Sequence, residues 1–204
     1  MDDRSRDILH YVIKQFSDLS YIRPEDVPDI PLYMDQITGF MDSKLESCKR
    51  HPEDKILTKT MINNYTKNRV IPPPEKKKYS KDHLLLMIFV YYLKDFLQIN
   101  DIKTLLSPLE EHFFMGSSGK SMSDIYQSAF DLVASQTDYM TKDIVRRLKL
   151  AQDTFPEAET DEEVYLYIFA FVCLLSFDVY VKKHLIESVI DELNKIREDT
   201  DHKE

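Results

Sequence analysis

Only 3 glycines occur in 204 residues, tryptophan is absent, and cysteine appears twice. So little glycine leaves few positions for the tight left-handed turns that a β-rich fold consumes, and favours helices. Two cysteines, Cys48 and Cys173, give no disulfide framework, so a reducing cytoplasm is the expected compartment. The opening MDDRSRDILH has acidic residues and no apolar signal-peptide core, so no signal peptide is expected. Long apolar runs are also scarce. VYLYIFAFVCLL, at 164–175, holds 12 uncharged residues before Ser176, and Asp178 follows. A membrane span needs roughly 20, so a buried core helix and no membrane partner are expected.

What is present is ordinary for a globular chain: 43% hydrophobic and 31% charged residues, enough for one large domain or two small ones. Net charge is -9, but it is unevenly spread. Residues 55–83 carry eight basic side chains against two acidic ones, a local +6, and the remainder carries -15. A basic patch on an acidic body suits nucleic acid, because phosphate contacts are local while the acidic remainder limits indiscriminate sticking. A solvated lysine-rich turn has the same composition.

Along the chain, Ile8, Tyr11, Val12, Phe16 and Leu19 predict an amphipathic helix over 5–19. Tyr21 to Pro31 reads as an extended linker, and Pro31 suits the first turn of a helix running to about Ser47 with Met34, Ile37, Met41 and Leu45 on one face. Thr58 is the expected N-cap of a short helix that turns Met61, Ile62 and Tyr65 inward and Thr60, Asn63, Asn64 and Lys67 outward. Val70-Ile71 suits a short strand, Glu75 to Lys78 a turn, and Ser80 the cap of a helix with Asp82 in its first turn and no charge from Leu84 to Leu93. Ile99, Ile102, Leu105 and Leu106 make the seam of the next helix. Beyond Pro108, helices are predicted near 121–135 and 138–152, and Thr160 to about Arg197 reads as one long helix or two.

A short polar helix, a Pro-stiffened lysine turn and apolar helices in that order predict a winged helix-turn-helix. The expected fold is therefore mostly α, with an N-terminal winged helix-turn-helix, a very small β wing and a C-terminal helical bundle. The expected parts are 1–31 (helix and linker), 32–107 (winged helix-turn-helix) and 108–204 (helical dimerisation or effector domain). The outward polar face nominates Thr60, Asn63 and Asn64 for base edges. Lys59, Lys67, Arg69, Lys76, Lys77 and Lys78 are nominated for phosphates, and Tyr79 stands beside them as a further candidate.

LTKTMINNYTKNRVIPPP, KYSKDHLLLM and INDIKTLL resemble the DNA-binding part of the MerR family of bacterial transcription regulators. Tyr65 matches the second of that family's paired aromatics, Val70-Ile71-Pro72 the start of its wing, Tyr79-Ser80 the start of its next helix, and Ile99 to Leu106 its last one. Asn63 and Asn64 stand where that family carries an arginine and an aromatic. The wing is shorter, and a longer loop (Cys48 to Lys55) precedes the recognition helix. The resemblance implies double-stranded DNA as partner, homodimerisation through the C-terminal part, and a possible small-molecule effector there. DKILTKTMINNYTKN and LSFDVYVKK also resemble a domain-of-unknown-function family of low-GC Gram-positive bacteria.

Other features point to nothing further. Gly116 to Ser121 has two residues between its glycines where a phosphate-binding loop needs four, so it reads as a loop capping a helix. Cys48-x-x-His51 supplies two ligands, too few for a structural metal site, and no catalytic constellation stands out. The expectation is a DNA-binding transcription regulator rather than an enzyme, without cofactor or metal. Its alternative is a protein-interaction module that keeps the helix-turn-helix only as fold.

Overall fold

The computed structural model describes residues 7, 8, 10–14, 21–116, 119–155 and 161–201. Strand β1 (Leu32–Tyr33) leads directly into helix α1 (Met34–Lys44), and α2 (Lys59–Lys67) follows after a loop. Then come β2 (Lys78–Tyr79), α3 (Lys81–Leu93), α4 (Ile99–Phe113), α5 (Met122–Ser135), α6 (Thr137–Thr154) and α7 (Asp161–Asp201). The chain is mostly α with a very small β element, as its scarcity of glycine implies. β1 and β2 pair antiparallel, Leu32 opposite Tyr79 and Tyr33 opposite Lys78. Of the helix expected over 5–19, residues 7, 8 and 10–14 are helical, while Phe16 and Leu19 lie outside the described residues.

The chain divides into two compact units: Ser20–Asp131 with Glu187–Glu204, and Met1–Leu19 with Leu132–Ile186. The positions 31 and 107, where the sequence suggested divisions, both fall inside the first of these. In that unit α1 buries Ile37 and Met41, with Leu45 buried just after its end, and α2 buries Ile62 and Tyr65. From Leu84 on, α3 is apolar on all sides and buries five consecutive residues, Leu84 to Ile88, as a stretch without a polar stripe must. Ile102 and Leu106 of α4 and Tyr126 and Phe130 of α5 complete the cluster, and the Tyr126 hydroxyl donates to the Ile22 carbonyl at 2.5 Å. The other unit has a smaller core, in which Leu148 and Ala151 of α6 meet Tyr167 and Phe171 of α7.

Three expectations are corrected here. The stretch from Tyr21 to Pro31 is not a free linker, because Ile22 and Val27 are buried in the core and Pro24–Asp26 form a 3-10 turn. Pro31 does not open a helix, since β1 intervenes. Val70 and Ile71 form no strand; both are buried anchors, and β2 pairs instead with residues far upstream. Pro108 lies inside α4, whose Ile102 and Leu106 are buried in the core. Between the two open sequence readings of 160–197, the chain takes the single helix: no Pro or Gly interrupts α7.

Candidate nucleic-acid interface

The Thr58 hydroxyl accepts the Met61 N–H at 3.1 Å and so starts α2. That start sets the phase of the helix. With Ile62 and Tyr65 turned inward, Thr60, Asn63, Asn64 and Lys67 are left exposed on the opposite side. Tyr33, Asp35, Asn63, Pro74 and Lys77 line a cleft of about 350 Å³ beside this face. The β1–β2 pairing therefore brings the start of α1, the polar side of α2 and the lysine hairpin together.

The cations beside this face are held by unusual backbone. Helix α2 ends in a Schellman motif: the Arg69 N–H donates to Thr66 at 3.1 Å and the Val70 N–H to Tyr65 at 2.9 Å. Arg69, with φ 56°, occupies the left-handed position where glycine is usual. In the hairpin the Lys78 N–H donates to the Glu75 carbonyl at 2.9 Å, and Lys76 and Lys77 have φ of 48° and 65°. Two central residues at positive φ are what a type I′ turn requires, and Asn-Gly is the favoured pair there. Among the described residues Met115 is the only other non-glycine residue at positive φ. Each such residue costs on the order of 1 kcal/mol.

The remaining candidates have specific surroundings. Lys59 is ion-paired with Asp35 at the start of α1. The Asn68 amide donates to the Asn64 side-chain oxygen at 3.0 Å and to the Asn64 carbonyl at 2.8 Å, which ties one end of the Asn64 amide to the helix terminus. Lys78 lies over the ring of Tyr33, its ammonium 5.2 Å from the centroid. Tyr79 departs from its expected place. It is 3% exposed, its ring meets His83 edge-on, and burial pushes its phenol pKa up. It is a packing residue that anchors β2, not part of the surface.

His83 links the hairpin to α3. Its Nδ1 accepts the Ser80 backbone N–H at 3.0 Å and lies 2.8 Å from the Ser80 hydroxyl, so the ring proton sits on Nε2, which faces the Pro73 carbonyl at 3.4 Å. Burial holds its pKa below the usual histidine value. Ser121 caps α5, its hydroxyl accepting the Asp124 N–H at 3.1 Å, while Ser117 and Ser118 of the phosphate-loop look-alike lie outside the described residues. Among the described residues no three His, Cys, Asp or Glu side chains gather so as to hold a metal ion.

Tyr33 and Asp35 are the members of this surface that sequence reasoning missed. Both fall in a stretch that reads as the first turn of a helix, and nothing local signals that β1 pairs with the lysine hairpin.

Fold and surface together define a class: a small, mostly helical protein in which a tight lysine turn at the end of a two-stranded ladder sets cations beside the polar face of a short helix. The chain belongs to a family defined by a domain of unknown function, DUF1836, which it matches over residues 22–129. That match includes every candidate residue from Lys59 to Tyr79. No curated protein and no solved structure matches the chain.

Proposed function

We propose that this chain is a cytoplasmic transcription regulator that binds double-stranded DNA through a MerR-like winged helix-turn-helix. The observation that carries the reading is the placement of Arg69, Lys76 and Lys77. All three are exposed cations in left-handed backbone, beside the one polar helix face that displays adjacent asparagines. Backbone strain of this kind gathers at functional positions. A turn whose only task was to reverse the chain would be cheaper as Asn-Gly. The order strand, helix, helix, hairpin, helix also supports a winged helix-turn-helix.

In this reading α2 enters the major groove. Asn63 and Thr60 meet base edges, where an asparagine amide matches the N6 and N7 of adenine. Asn64 contributes mainly its NH₂ group, because its oxygen is already engaged. Lys67, Arg69, Lys76, Lys77 and Lys78 take phosphates. Lys59 joins them by exchanging Asp35 for a phosphate, an inexpensive exchange because exposed ion pairs are weak.

Selection of bound fragments from sheared genomic DNA, then anisotropy at several salt concentrations, tests the proposal. The expected result is enrichment of one site and a steep salt dependence. A Lys76/Lys77/Lys78→Ala variant should bind all sequences more weakly, and its slope of log K against log salt should be shallower by up to about 2.7. An unchanged slope would remove the hairpin from the interface. A competing reading, a protein-interaction module that keeps only the fold, is favoured by the Lys59–Asp35 pair and the Asn64–Asn68 bond, which occupy two of the ten candidates. It requires that no fragment be enriched.

A further inference from the structure

The unit built from α6 and the first part of α7 leaves much apolar surface uncovered. The side of α7 opposite Tyr167 and Phe171 carries Tyr165, Phe169, Phe177 and Tyr180, exposed at 63%, 55%, 67% and 58%. Their spacing keeps them on one side of the helix, with Cys173 between them. The rings are already ordered in pairs: Tyr165 stacks on Phe169 at 6.3 Å and Phe177 on Tyr180 at 6.2 Å. A groove of about 750 Å³ runs between this side and α6, lined by Leu150, Phe169, Cys173, Phe177 and Val181. At its end Arg147 bonds Asp143 at 2.5 Å and Asp178 at 3.3 Å, and Lys182 bonds Asp178 at 2.8 Å.

We propose that the occupant of this surface is a second copy of the chain, whose α6–α7 pair seats its own aromatic stripe in the groove to give a four-helix arrangement. Three observations select that occupant. First, the charges at the groove end are of both signs, Asp143 and Asp178 against Arg147 and Lys182. That makes the patch complementary to itself under a two-fold axis, as a symmetric interface must be. Second, the area suffices. Four rings of about 200 Å² at these exposures offer roughly 490 Å² per copy, or about 980 Å² for the pair. Leu150, Val172 and Val181, each near half exposed, carry the total past the ~1,200 Å² at which stable interfaces begin.

Third, a bilayer fits less well. Val164–Arg197 has the length and apolar composition of a membrane span. Its charge-free part, however, runs only from Val164 to Phe177, 14 residues or about 21 Å against a hydrocarbon thickness of ~30 Å. Asp178, Lys182, Lys183 and Glu187 follow within the same helix.

The inference does not rest on DNA binding and is tested without it. Sedimentation of the full chain, free of detergent, should give twice the 24.1 kDa of one chain. Phe169→Glu and Phe177→Glu, both at rings more than half exposed and so tolerated by the fold, should each weaken self-association by about thirtyfold or more. Circular dichroism shows whether each variant stays helical. Maleimide labelling of Cys173 in the unaltered protein, read on its own peptide, needs no variant and should slow as protein concentration rises. A native chain that stays monomeric throughout, labelling of Cys173 that ignores concentration, or a dimer unmoved by both folded variants would overturn the proposal. So would a monomer that partitions into neutral phosphatidylcholine vesicles, which would assign the surface to a membrane.

Discussion

At the scale of single residues, the hairpin tip makes a direct trade between stability and charge. Lys76 and Lys77 hold the positive φ angles of a type I′ turn without the asparagine and glycine that suit it. A Lys76→Asn/Lys77→Gly variant relieves that strain and should raise unfolding stability by about 1 kcal/mol. It also removes two of the proposed phosphate contacts, so DNA affinity should fall at every sequence and the salt slope should flatten by nearly 2. Urea unfolding and anisotropy on the same preparation check both halves. A variant that gains stability while binding DNA as before would show that the two lysines serve no interface. The basic character of this tip was legible from Lys76-Lys77-Lys78, whereas its φ angles were not, because no residue type there announces a left-handed turn.

Elements that follow from local periodicity were the most legible. The inward set Ile37, Met41 and Leu45, the Thr58 cap and the charge-free Leu84 to Leu93 of α3 lie where their spacing puts them. The β1–β2 ladder was hidden, since two-residue strands have no period and their partners are distant in sequence. Pro108, a strong local breaker, sits inside α4, where the burial of Ile102 and Leu106 outweighs it. The start of α3 holds a pH-dependent element. His83 has a folded pKa below its ordinary value of 6.5, lowered chiefly by burial, so the unfolded chain binds its proton first. The stabilisation is complete above about pH 6.5 and is lost as pH falls through that value toward the folded pKa. Urea midpoints measured between about pH 8 and 5 should decline on the acid side. His83→Gln keeps an acceptor at the third helical position and should flatten that decline. A native midpoint indifferent to pH would mean that His83 titrates alike in both states.

Across the whole molecule, the domain boundaries were less legible than the helices. The family match, 22–129, ends within two residues of the limits of the segment Ser20–Asp131. The sequence suggested a break near residue 107, beyond which its character changes. Contacts instead keep α4 and most of α5 with the segment that carries the lysine hairpin. Each unit has its own apolar cluster, and the smaller one rests on four buried residues. Tyr167→Ala empties much of that small core and should cost about 3–5 kcal/mol there. Leu86→Ala should cost about 2–5 kcal/mol in the larger one. Calorimetry should resolve two transitions, each displaced by one substitution alone. A single transition displaced by both would mean that the clusters melt as one.

The left-handed Arg69 has a consequence in the language of mutation. Every arginine codon lies a single base change from a glycine codon, and every lysine codon a single change from asparagine. Relief at residues 69 and 76 is therefore always within reach of a replicating gene. A library of variants sorted once for folded protein and once for DNA binding should, under the proposed interface, divide sharply there, with the substitutions Arg69→Gly and Lys76→Asn enriched in the first pool and depleted in the second.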